Sequence, residues 1–177
     1  MRGRARGFLG GRRLWLLAMA VSLAGCAGYK LGPTNGVPVG SRSVKIQPFL
    51  NRIAEPRITE YLASSLRKQL LMDGTFRLET GLKPDIVLSG EIVRMDRGEL
   101  SYTTNDVLTP SAYLVILTAQ VRAVDTATGK TTLNRPIRGR TYMRIGNDQS
   151  SAQREAMPLL TDDLARNTIS ALVDGDW

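Results

Sequence analysis

Tyr113-Leu-Val-Ile-Leu-Thr-Ala-Gln-Val-Arg-Ala-Val-Asp125 is the stretch from which the architecture can be read. In an extended chain Tyr113, Val115, Leu117, Ala119, Val121 and Ala123 share one face, while Thr118, Gln120 and Arg122 share the other. One face therefore seeks a core and the other faces water. Asp125-Thr-Ala-Thr-Gly-Lys130 follows as a hairpin loop, with Gly129 at its bulge, and leads into a second strand over Thr131–Met143. Arg138, Arg140, Tyr142 and Arg144 are spaced by two and project from one face of that strand. Leu133, Ile137, Thr141 and Met143 project from the opposite face. Pro136 has no N–H to give a ladder, which argues for an edge strand or a bulge.

Upstream, Ser43–Gln47 alternates, with Val44 and Ile46 against Lys45 and Gln47, and stops at Pro48 as a first strand. Ile58, Leu62, Leu66 and Leu70 recur every fourth residue, which predicts an amphipathic helix over Pro56–Met72, with Pro56 in its first turn and Asp73-Gly74 as its stop. Phe76–Glu79 reads as a short strand. Asp85–Met95 reads as a longer one in which Gly90 marks a bulge that switches the apolar face. Arg97–Ala112 is polar and longer than a tight hairpin needs, a length that points to function or disorder. Downstream, Ser150 and Gln153 form a capping box for a last helix with a stripe of Ala156, Leu160, Leu164 and Leu172. Pro158 should kink or restart that helix, and Asp174-Gly175 ends it. The expected fold class is α+β: two helices on one face of a four- to five-stranded, mainly antiparallel sheet.

The amino terminus carries a separate message. Residues 1–13 hold five arginines and no acid, and Leu14–Leu23 is a ten-residue apolar run, half of the roughly 20 residues a spanning helix needs. Leu23-Ala-Gly-Cys26 resembles the bacterial lipobox, in which the cysteine is alkylated by diacylglycerol, the signal is cut before it and the new amine is acylated. The chain thus divides into a lipoprotein signal peptide over 1–25, a lipidated tether over 26–42 and a folded domain over 43–177. Position 27 is Ala and not Asp, which by analogy with lipoprotein sorting favours the outer membrane.

Composition narrows the chemistry. The net charge of +8 falls to +3 once the five signal arginines are removed, which argues against nucleic acid as partner. There is no histidine, and the single cysteine, Cys26, is committed to the anchor, so imidazole bases, Cys-His pairs, the usual zinc sites and internal disulfides are excluded. No catalytic residues, metal or cofactor are expected. Asp162-Asp163, the one adjacent acid pair, reads as a solvated part of the last helix. Thr128-Gly-Lys-Thr131 ends like a P-loop, but the required glycine at position 124 is Val and strand meets strand, so a turn explains it. The basic face of the last strand suits phosphate, because guanidinium offers paired donors. Arg138, Arg140 and Arg144, with Arg122 from the hairpin partner, are the candidate set. An ordinary solvated sheet face accounts for them as well.

Gly28-Tyr29 after Cys26, Val44-Lys-Ile-Gln-Pro-Phe49, Glu55-Pro56, Leu66-Arg-Lys-Gln-Leu70 with Asp73-Gly74, Asp85–Ile92 and Asp125–Lys130 resemble, in that order, the LptE family of lipopolysaccharide-assembly lipoproteins. The resemblance implies two helices on a four-stranded sheet, a non-catalytic plug inside the LptD β-barrel, and binding of lipopolysaccharide at the outer membrane. Family basic residues lie near the loop between the middle strands and near the end of the last strand. Here Ser101–Ser111 holds no basic residue, and the second region offers Arg140 and Arg144. A lipoprotein of another envelope secretion or assembly machine is the alternative.

Overall fold

A computed structural model describes residues 39–103, 106–144 and 148–175. The expected signal peptide, Cys26 and the expected tether up to Pro38 lie outside the described residues. The elements are β1 (Ser43–Ile46), β2 (Leu50–Asn51), α1 (Ile58–Asp73), β3 (Arg77–Leu78), β4 (Ile86–Thr103), β5 (Asp106–Asp125), β6 (Thr131–Arg144) and α2 (Gln149–Val173). The strands form one sheet in the order β3-β1-β4-β5-β6, with β2 also beside β4. The long ladders β4–β5 and β5–β6 are antiparallel, and the short ones that β1 makes with β3 and β4, and β2 with β4, are parallel. This is the two-helix α+β arrangement, with one strand more than expected because β2 is only two residues long.

The core lies between one sheet face and the two helices. Val115, Leu117, Ala119, Val121 and Ala123 of β5 are fully buried, and meet Leu62, Leu66 and Leu70 of α1 and Leu160, Leu164 and Leu172 of α2 in one cluster. Contacts advance together along the helices, from Glu55–Gln153 through Ser65–Thr161 to Gln69–Asp162, so α1 and α2 run parallel.

Gly139 lets α2 lie directly on β6. A Cβ there would stand 2.5 Å from Leu164 N and 2.7 Å from Leu160 O, both backbone atoms. At this contact Asp163 accepts from Arg140 N at 2.9 Å, and Asn167 donates to Arg138 O at 2.8 Å. At residues 138–140 the backbone of the edge strand is thereby engaged by helix side chains, which blocks further pairing there. β6 is the edge strand that Pro136 implied.

Several local expectations change. Pro56 lies before α1; its carboxyl neighbour Arg57 takes a left-handed φ of 67° and the helix starts at Ile58, because the chain must turn sharply out of β2. α2 is capped by Asp148 and not Ser150: the Asp148 carboxylate accepts from Ser150 N and Ser151 N at 2.9 and 3.1 Å. Gln153 instead donates to Glu55, at 2.9 Å. The helix runs through Pro158 without a break. The bulge in β4 sits at Val93, where the register skips from Ile92 to Arg94, and not at Gly90. Gly90 serves packing, since a Cβ would come within 2.6 Å of the Phe49 ring and 2.5 Å of Gln120 O. Arg97–Ala112 is no loop: β4 and β5 continue as a ladder through it, with register shifts after Glu99. Beyond the Ala112–Arg144 pair, the ribbon has two strands among the described residues.

Candidate functional site

The sheet face turned away from the helices is built in rows that the two ladders fix. Arg94, Thr118 and Arg138 stand side by side across β4, β5 and β6; Asp96, Ile116 and Arg140 form the next row, and Gly98, Leu114 and Tyr142 the one after. Arg144 pairs with Ala112 at the end of β6. Even-numbered residues of β5 point here because the odd-numbered ones fill the core. Arg138, Arg140 and Arg144 are exposed, Tyr142 is 70% exposed, and Leu114 and Ile116 are half-buried. Among the described residues, no side chain forms an ion pair or hydrogen bond with the guanidinium groups of these three arginines. The patch thus combines an apolar strip with cations along the strand, Arg138 and Arg140 about 7 Å apart and Arg144 roughly 13 Å farther on.

Of the four arginines that the sequence pointed to, Arg138 and Arg140 stand in successive rows, and Arg144 lies on the same face roughly 13 Å beyond Arg140. Arg122 does not join them. Its pair is Asn134, and Pro136 and Gln120 form the row between it and Arg138. At about 3.3 Å per residue, Arg122 stands roughly 13 Å from the Arg138 row, and its Nη2 donates to Thr131 Oγ1 at 3.3 Å. The spacing rule could not see this, because the register depends on the shift between Ala123 and Val124. A cation that sequence reasoning missed is Arg94. Regular alternation from Ile86, Leu88 and Ile92 would send it into the core; the bulge at Val93 turns it to the open face, where Asp96 accepts from it at 2.6 Å.

Asp162 and Asp163 are not simply solvated. Asp162 ties the helices, accepting from Gln69 at 3.1 Å and Lys68 at 3.2 Å, with Arg166 at 3.3 Å. Burial works against its charge, but the bonds from Gln69 and Lys68 and the charges of Lys68 and Arg166 outweigh it and hold the carboxyl below its ordinary range. Asp163 serves the β6 edge. At the other end of the sheet Asp85 accepts from the Ser43 hydroxyl and N–H, each at 2.7 Å, and these bonds lower its pKa. Asp125 accepts from Thr128 N and pairs with Arg42, which lower its pKa against an opposing burial effect. Asp85 fastens the start of β1 to the start of β4, and Asp125 fastens the residue before β1 to the β5–β6 turn. That turn closes with Gly129 at φ 69° and Gly129 N on Asp125 O, as a hairpin and not a phosphate loop. Among the described residues no three His, Cys, Asp or Glu side chains converge as metal ligands, and no described helix is long and apolar enough to cross a membrane.

Comparison with solved structures finds the same fold at low identity. Protein XCC0632 from Xanthomonas campestris matches with a TM-score of 0.58 at 11% identity, over 81% of this chain and 91% of its own. Protein CT253 from Chlamydia trachomatis matches with a TM-score of 0.54 at 13% identity, over 77% of this chain and 96% of its own. Comparison with curated proteins by sequence finds no match. The family model for LptE, described as lipopolysaccharide-assembly, matches residues 41–172. That stretch takes in all six strands and α2 to within one residue of its end, so the chain belongs to the LptE family of lipopolysaccharide-assembly proteins.

Proposed function

We propose that the protein is a non-catalytic outer-membrane lipoprotein, anchored through acyl chains on Cys26, that fills the lumen of an LptD-type β-barrel and holds lipopolysaccharide during its insertion. The observation that carries the ligand part is the row of exposed guanidinium groups at Arg138, Arg140 and Arg144, without an ion-pair or hydrogen-bond partner among the described residues, beside Leu114, Ile116 and Tyr142. A molecule with phosphates next to acyl chains is complementary to both features at once. Guanidinium is suited to the phosphates because it remains charged and donates in pairs. Arg122 is too far away to share a phosphate with Arg140 and reaches a second anionic group of the same molecule. The anchor part rests on the lipobox, since one chain binds a bilayer marginally and each further buried methylene adds about 0.8 kcal/mol.

The test is capture of lipopolysaccharide by the lipidated protein purified in mild detergent. Replacing Arg140→Glu and Arg144→Glu together should weaken capture by more than about tenfold at low salt, with the difference shrinking as salt rises. Capture unchanged by the double replacement ends the ligand reading. Extraction without an LptD-sized barrel among the co-purifying proteins ends the plug reading.

A further inference from the structure

The open face changes character along β5. Two residues beyond the Arg138 row, Pro136 replaces arginine, and a groove of about 530 Å3 opens among Gln47, Ser89, Glu91, Gln120, Arg122 and Asn134. That volume lies within the roughly 300–1,000 Å3 of small-molecule clefts. Its chemistry is unlike that of the arginine patch: two carboxamides meet there, Gln120 Nε2 donating to Asn134 Oδ1 at 3.0 Å. Among the described residues, the other half of each amide, Gln120 Oε1 and Asn134 Nδ2, has no partner. Arg122 is engaged at only one nitrogen, by Thr131, and Glu91 is neutralised by Arg52 at 3.1 Å. Pro48 and Leu50 supply an apolar border, Leu50 being 59% exposed.

We propose that this groove binds the saccharide portion of the ligand whose phosphates and acyl chains meet the arginine patch. Carboxamides offer one donor and one acceptor side by side, which complements a hydroxyl that does both. Aliphatic rims at Pro48 and Leu50 meet the C–H faces of a sugar ring, and Arg122 accepts an acidic substituent. The inference rests on the reading of the arginine patch given above. It adds a direction: along β5 the ligand lies with its acyl end toward the β4–β5 ribbon and its sugars toward the Asp125–Lys130 turn, since the two chemistries stand roughly 13 Å apart in that order.

The experiment uses the full-length lipidated protein and two probes: core oligosaccharide freed of all acyl chains, and lipid A lacking the core. Gln120→Ala with Asn134→Ala should weaken the oligosaccharide roughly tenfold, the effect of losing one or two hydrogen bonds, and leave lipid A within about twofold. Arg140→Glu with Arg144→Glu should do the reverse. Both positions of the amide pair are outside the core, and an unchanged melting temperature checks the fold; Arg122→Ala provides a second variant if it shifts. Lipid A bound normally with no oligosaccharide binding overturns the saccharide site alone. Equal losses of both probes in the amide variant also overturn it. Failure of lipid A to bind the unaltered protein brings down the arginine reading instead.

Discussion

The two faces of β5 are made by alternate residues of one strand and obey opposite rules. On the covered face every position from Val115 to Ala123 is at 0% exposure, against helices that approach within backbone contact at Gly139. On the open face the same stretch holds Thr118, Gln120 and Arg122, whose side chains meet neighbours by hydrogen bonds or not at all. Volume restricts the first face and chemistry is free to vary on the second. A protein that must fold without disulfides and, on the function proposed above, still present a ligand surface can separate those demands by strand parity. The separation predicts that substitutions one residue apart will differ sharply in what they disturb.

The largest contrast should come at β6, between Gly139 and its neighbours. Gly139→Ala places a methyl group within 2.7 Å of two α2 backbone atoms, so the helix must move as a body. Overpacking of this kind costs about 1–3 kcal/mol, and the shift also strains the Asp163–Arg140 and Asn167–Arg138 bonds. The expected loss is about 3 kcal/mol in denaturant unfolding. Gly98→Ala is the matched control: nothing lies within 4 Å of its added Cβ, and stability should hold or rise slightly. Equal effects at the two glycines would mean that α2 does not press on β6.

The same division decides what could be read in advance. Alternation in Tyr113–Asp125 and the fourfold leucine spacing of α1 are signals of burial, and the covered face follows them residue by residue. The arginine face was legible as the complement of that pattern. The ribbon beyond Glu99 was not, because its sequence, Ser101–Ser111, is polar and carries no hydrophobic period from which a strand could be read. Register was also hidden. A bulge at Val93 or a shift at Ala123 costs one residue and moves every later partner, so the place of Arg122 and the facing of Arg94 depended on backbone detail. Asp148 escaped notice as cap because Ser150, two residues on, fits the same motif.

Acid should act on the covered side first. Asp162 between the helices, and Asp85 and Asp125 at the start of β1, all have folded pKa values below their ordinary ones. A depressed carboxylate contributes stability that is present above its unfolded pKa of about 3.9 and is lost as pH falls through the folded value. Thermal stability should therefore be flat from about pH 8 to 5 and drop below about pH 4. Asp162→Asn should remove part of that drop, since its carboxylate is the one that bridges α1 and α2. A profile that already falls between pH 7 and 5 would contradict this set of carboxylates, as the chain has no histidine to titrate there.

The smallest effect is predicted where the ligand claim is strongest. Arg138, Arg140 and Arg144 make no hydrogen bond or ion pair with a described side chain through their guanidinium groups, and surface substitutions clear of caps, cores and ion pairs stay within about 0.5 kcal/mol. Arg140→Ala and Arg144→Ala should each leave the melting temperature in place, and Arg140→Ala should raise it slightly if anything, by relieving repulsion with Arg138 two residues away. Arg140 is the sharper case, because its own N–H is held by Asp163 whatever the side chain, so the strand edge remains closed. If either replacement destabilised the fold appreciably, the arginines would be structural. The open face would then be a second packed surface, and its cations would have a reason to exist without any ligand.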